Sequence, residues 1–111
     1  MLRKQRLERA AGETPTAHGA RLLELGSTGC RICRAMHEEL ALLRQECGPS
    51  IVVEEIDILR DEAAAKRYRV GIMPTQVFLD AEGRELGRHV GFLARSDIRA
   101  RFAALGVECG P

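Results

Sequence analysis

The chain has 111 residues, enough for one domain with an apolar core and too few for two. Seventeen Lys and Arg against sixteen Asp and Glu leave a net charge of +1, which provides no electrostatic basis for binding nucleic acid or a membrane surface. With 45% apolar and 30% charged residues the composition is globular rather than disordered, and no apolar run approaches the length that spans a bilayer.

Residues 1–20 read as a charged, solvated arm, with a short helix expected over Leu2 to Ala11 and a loop at Gly12-Glu13-Thr14-Pro15-Thr16. The basic start is followed by no apolar h-region, so it does not read as a signal peptide. A cytoplasmic location is expected, or a periplasmic one if a leader has been removed. A strand is expected over Arg21 to Leu25. The next segment, Cys30 to Glu46, has Cys33, Met36, Leu40, Leu43 and Cys47 at spacings of three and four, the mark of a helix with one apolar face, and Gly48-Pro49 stops it. The β-branched run Ile51 to Ile58 reads as a buried parallel strand. Asp61 can cap a short helix over Glu62 to Tyr68 that Gly71 closes. Thr75 to Leu79 and Arg84 to Val90 read as an antiparallel hairpin around Asp80-Ala81-Glu82-Gly83, whose glycine can take positive φ. A last helix, Asp97 to Ala104, is expected with Ser96 as its cap, Ile98, Phe102 and Leu105 as its stripe, and Gly106 at its end. The order β-α-β-α-β-β-α, with a helical crossover between the first two strands, points to an α/β fold: a mixed four-stranded sheet flanked by helices.

Cys30-Arg31-Ile32-Cys33 carries the chemistry. Two thiols three positions apart at the start of a helix lie within one turn, so they can close a small disulfide ring. The first faces the unpaired N–H groups and positive dipole end of the helix, which favour a thiolate, and Arg31 adds a cation beside it. Stabilising the thiolate stabilises the dithiol, so the disulfide becomes more oxidising. A zinc site is the competing reading, with Cys30, Cys33 and His37 as ligands and Cys47 or His89 as a fourth. One ion, however, cannot reach both ends of the helix that separates Cys33 from Cys47. A protein-binding module without redox work is the other alternative, and such a module has no need of both thiols. Cys47 reads as a small buried hydrophobe and Cys109 as part of an exposed tail, residues 107–111, with a second disulfide neither required nor excluded.

Three separated segments together resemble the thioredoxin family: Cys30-Arg31-Ile32-Cys33 after the first strand, Gly71-Ile72-Met73-Pro74-Thr75 before the hairpin, and His89-Val90-Gly91-Phe92 after it. The resemblance covers residues 21–106 and implies a thioredoxin-like fold and thiol–disulfide oxidoreductase activity. It implies Cys30 as nucleophile, Cys33 as resolving thiol and a cis bond at Met73–Pro74. By the same resemblance a peptide-binding surface is framed by Arg31, Ile32, Met73, Pro74, Thr75, Gly91 and Phe92. Glu24 stands where the family commonly has a buried Asp that exchanges a proton with the second cysteine. A carboxyl in an apolar strand should have its pKa raised toward neutrality. The implied partners are protein disulfide substrates and a separate reductase or dithiol donor, with no bound cofactor, no nucleic acid, no membrane insertion, and a monomeric state. The chain departs from the family in having Gly26 and Gly29 where tryptophans are common, Arg31-Ile32 in place of Gly-Pro, Glu38 in place of a helix-kinking proline, and no clear counterpart of the strand that precedes the core in full-length thioredoxins.

Overall fold

The computed structural model describes residues 19–109. The elements run β1 (Ala20–Gly26), α1 (Arg31–Cys47), β2 (Ile51–Asp57), α2 (Glu62–Arg67), β3 (Thr75–Leu79), β4 (Glu85–Val90) and α3 (Arg95–Ala104). The strands form one sheet in the order β2-β1-β3-β4, with β1 parallel to β2 and antiparallel to β3, and β3 antiparallel to β4. This is the expected mixed four-stranded sheet flanked by helices. The expected helix over Leu2 to Ala11 lies outside the described residues.

Alternation along the central strands splits the core in two. Leu22 and Phe78 face α1 and α3, where they meet Met36, Leu40, Leu43, Ile98 and Phe102. Leu23, Leu25, Val77 and Leu79 form the opposite cluster, covered by Ile56, Ile58, Tyr68 and Val70. All five residues of the expected apolar face of α1 are buried. Fully burying each large aliphatic side chain stabilises the fold by roughly 1.5–3 kcal/mol, so this stripe anchors the helix that carries the cysteines.

Several local expectations are corrected. Among the described residues β2 is an edge strand in which only Ile51 is buried, because no described strand lies beyond it and its β-branched residues are interrupted by Glu54 and Glu55. α2 closes earlier than Gly71. Arg69 takes the left-handed conformation (φ 54°), and the Arg69 and Val70 N–H groups donate to Lys66 and Ala65, so a backbone capping motif forms without a glycine. At the end of α3 the same motif uses Gly106 (φ 88°), with N–H donation from Gly106 to Ala103 and from Val107 to Phe102. α3 begins at Arg95, so Ser96 lies inside the helix and does not cap it; Ala94 holds that position with no side-chain bond. Leu105 is exposed rather than part of the buried stripe. In the hairpin Gly83 has φ 86°, and Asp80 Oδ1 accepts from the Glu82 and Arg84 N–H groups, which ties the turn.

The largest correction concerns the outer cysteines. Cys47, the last residue of α1, is disulfide-bonded to Cys109, and Val107 and Cys109 pack against the α1–α3 core. Cys47 is therefore a cross-link and not a free hydrophobic thiol. Val107 and Cys109 are held against the core instead of lying in an exposed tail.

Candidate active site

β1 ends at Gly26, and a short turn delivers the chain to α1 with Cys30 as its N-cap residue. The Cys30 N–H donates to Ser27 O at 3.2 Å, and Gly29 N–H donates to Ser27 Oγ at 3.3 Å, which holds the turn. Cys30 is half-buried in extended backbone, while Cys33 lies one helical turn inward and is only 8% exposed. Both are free thiols, and the Cys33 N–H donates to Cys30 Sγ at 3.2 Å. The cap position thus puts a sulfur where helices ordinarily place a Ser or Asp oxygen.

The two thiols are pushed apart in acidity. Cys30 is lowered, first by the hydrogen bond from the Cys33 side chain, then by the Cys33 and Ile32 N–H groups and the charge of Arg34. Cys33 is pushed up to about 11, mainly by burial and by its bond to Cys30. Environment alone makes one sulfur the more acidic of the pair and the other the less acidic. The cation that lowers Cys30 is Arg34, whose guanidinium is anchored on Thr28 O at 3.1 Å, and not the adjacent Arg31.

Gly26 makes room for this pair. A Cβ at Gly26 would lie 2.7 Å from Cys33 Sγ and 3.8 Å from the Pro74 ring, so any side chain there collides with the inner thiol. Pro74, buried and preceded by a cis bond from Met73, comes against the same spot. Its carbonyl accepts from the Gly91 N–H at 2.8 Å, joining the segments before and after the hairpin. Ile32, Ile72 and Phe92 are exposed, while Met73 and Gly91 are half-buried. Thr75 is buried, and its hydroxyl donates to Ile72 O at 2.7 Å, so it braces the loop.

Glu24 is buried on the α1 face of β1, and burial pushes it up to about 7. Gln76 Nε2 donates to its Oε1 at 2.9 Å, which opposes that rise, while Glu55 on the neighbouring strand adds to it. Its Oε2 has no hydrogen-bond partner among the described residues. A cavity of about 600 Å³ is lined by Glu24 and Cys33 together with Arg34, His37, Glu38 and Glu55, and joins the carboxyl to the inner thiol. His37 is bonded to Glu55 at 2.7 Å. Among the described residues no group of three or more His, Cys, Asp or Glu is arranged to hold a metal ion, and Cys47 is committed to its disulfide.

Sequence reasoning missed Gly26, Arg34 and Gln76. Gln76 gave the signal that singled out Glu24, a polar residue inside an otherwise apolar strand. Gly26 stood out only as a departure from the family's tryptophan, because its value lies in an atom that is missing.

The sequence profile of the thioredoxin-like domain matches residues 7–106. The germline-specific thioredoxin Deadhead from Drosophila melanogaster is similar in structure, with TM-score 0.72 and 28% identity over 81% of this chain and 84% of that one. Fasciola hepatica thioredoxin aligns with TM-score 0.68 and 26% identity over 77% and 79% of the two chains. A point mutant of thioredoxin from Halobacterium salinarum NRC-1 aligns with TM-score 0.74 over 89% and 84%, and at 20% identity it bears on the fold alone. No functionally curated protein matches the sequence.

Proposed function

The chain belongs to the thioredoxin-like domain family, which supports a redox-type function in general, and on that footing we propose that it is a thiol–disulfide oxidoreductase acting on protein disulfides through Cys30 and Cys33. The observation that carries the reading is the pairing of an acidified, accessible thiol at the cap of α1 with a buried, proton-retaining thiol bonded to it through the Cys33 N–H.

In the reductive direction the Cys30 thiolate attacks one sulfur of a partner disulfide, forming a mixed disulfide and expelling the other partner sulfur as thiolate. Cys33 then loses its proton and attacks Cys30 Sγ. The Cys30–Cys33 disulfide forms, and the second partner sulfur leaves as thiolate. The partner has gained two electrons and the protein has lost them. A separate reductase or dithiol donor returns them. Glu24, with a pKa near 7 and a shared cavity with Cys33, is suited to take the proton of the resolving thiol in the second step. An extended substrate segment would lie along Met73 and Pro74, with Arg31, Ile32, Gly91 and Phe92 around it.

Reduction of a protein disulfide coupled to a dithiol donor tests this. Wild type should turn over, Cys30→Ser should fall to background, and Cys33→Ser should accumulate mixed disulfides that a dithiol releases. Equal turnover by wild type and Cys30→Ser would overturn the proposal.

A further inference from the structure

One register level of the sheet carries a polar side chain on every strand. Glu55 of β2 pairs with Glu24 of β1, Glu24 with Gln76 of β3, and Gln76 with His89 of β4. Register partners project to the same face, so the four form a row across the sheet on the side of α1. The reaction outlined above uses Glu24 alone.

The hydrogen bonds in this row take their polarity from the orientation of one amide. Gln76, 0% exposed, donates Nε2–H to Glu24 Oε1 at 2.9 Å, and its Oε1 lies 2.9 Å from His89 Nδ1. An amide oxygen only accepts, so His89 presents Nδ1–H. Turning the amide over would aim its oxygen at Glu24, which suits only a protonated carboxyl, and its NH₂ at His89, which then needs a bare Nδ1. The proton positions on His89 and Glu24 are therefore linked through one buried amide. We propose that His89 is a positioning residue for the resolving thiol: through Gln76 it keeps a donor on Glu24 Oε1 and leaves Oε2 to carry the proton exchanged with Cys33. The proposal rests on the oxidoreductase reading for its purpose, but the linkage exists whether or not the thiols turn over.

Other charges also face this row. Glu55 opposes ionisation of Glu24, and its carboxylate is held by Arg44 at 2.9 Å and His37 at 2.7 Å, both from α1. Arg34 and Glu38 of α1 and Asp57 of β2 line the same cavity. From α3, Arg101 lies 5.9 Å over the Phe78 ring, while Arg95 and Arg99 are paired with Glu46. On β4, Arg88 is bound to Glu85 and projects to the opposite face from His89. Of these, His37 is the imidazole bonded to Glu55, the register neighbour of Glu24, so a His37→Gln background separates its influence.

The test follows the Glu24 side-chain carboxyl carbon by NMR across pH in the reduced protein, with Glu24→Gln assigning the resonance. His89→Phe removes the donor to Gln76 and should move the Glu24 midpoint upward by about half a pH unit, roughly a hydrogen bond passed through one intermediary. Asn at position 89 can donate from nearly the place of Nδ1, so His89→Asn should bring the midpoint back toward wild type. The shift should persist in the His37→Gln background. In the same variants, the pH profile of mixed-disulfide resolution should move with the midpoint. A Glu24 midpoint unmoved by His89→Phe, or moved equally by Phe and Asn, would refute the proposal. Because the titration needs no substrate, it stands apart from the outcome of the turnover assay.

Discussion

Helix α1 carries a cysteine pair at each end, and the two ends treat sulfur in opposite ways. At the start, Cys30 sits at the cap, where N–H groups converge and the dipole is positive, so a thiolate is favoured and the pair stands open as a dithiol. At the finish, Cys47 is fully buried beneath the carbonyl end, where neither solvent nor dipole supports a thiolate, and it is joined to Cys109. The contrast comes from position on the helix, since the residue type is the same at both ends.

The largest way to sharpen that contrast is to remove the outer pair. The Cys47–Cys109 bond spans a sequence separation of 62, for which loop-closure entropy gives about 4 kcal/mol of stabilisation. Cys47→Ala with Cys109→Ala should lower the unfolding free energy by that order in urea titration while disulfide-reducing turnover at 25 °C is retained. Loss of turnover in a folded double variant would mean that the two ends are not independent. Counting two free thiols in the protein after mild reduction, and not all four, would show that the Cys47–Cys109 bond resists conditions that leave Cys30 and Cys33 reduced.

The second effect falls on the inner end. Glu24 has its proton held more tightly in the folded state, at a pKa of about 7 against 4.5 unperturbed. Stability from this group is full below about pH 4.5 and is lost as pH rises through 7, by about 3 kcal/mol in all. Glu24→Gln removes the charge and keeps an acceptor for Gln76. It should match wild type near pH 4 and exceed it at pH 8 by up to that amount, read from urea unfolding at the two pH values. No change in the pH dependence would show that the carboxyl is not desolvated.

The smallest effect tests how closely the reactive end is built. Gly26→Ala places a methyl on Cys33 Sγ and should cost about 1–3 kcal/mol, with slower resolution of mixed disulfides at unchanged Cys30 alkylation. Equal slowing of both would show that the whole cap has moved.

The periodicities in the chain were enough to specify its elements. The five-residue stripe from Cys33 to Cys47, the turn at Asp80 to Gly83 and the alternation of the central strands each follow from local geometry that a neighbour cannot overrule. The thiol pair and the buried carboxyl were legible for the same reason, as residues out of keeping with their surroundings. Other facts depend on what meets across long separations. That β2 is an edge, that Arg34 rather than Arg31 supports Cys30, and that Gly26 must lack a side chain are decided by packing against elements far along the chain. The bond from Cys47 to Cys109 and the line from Glu24 through Gln76 to His89 arose only when the fold brought those residues within bonding distance, because directed bonds require coordinates and a sequence pattern supplies only directions.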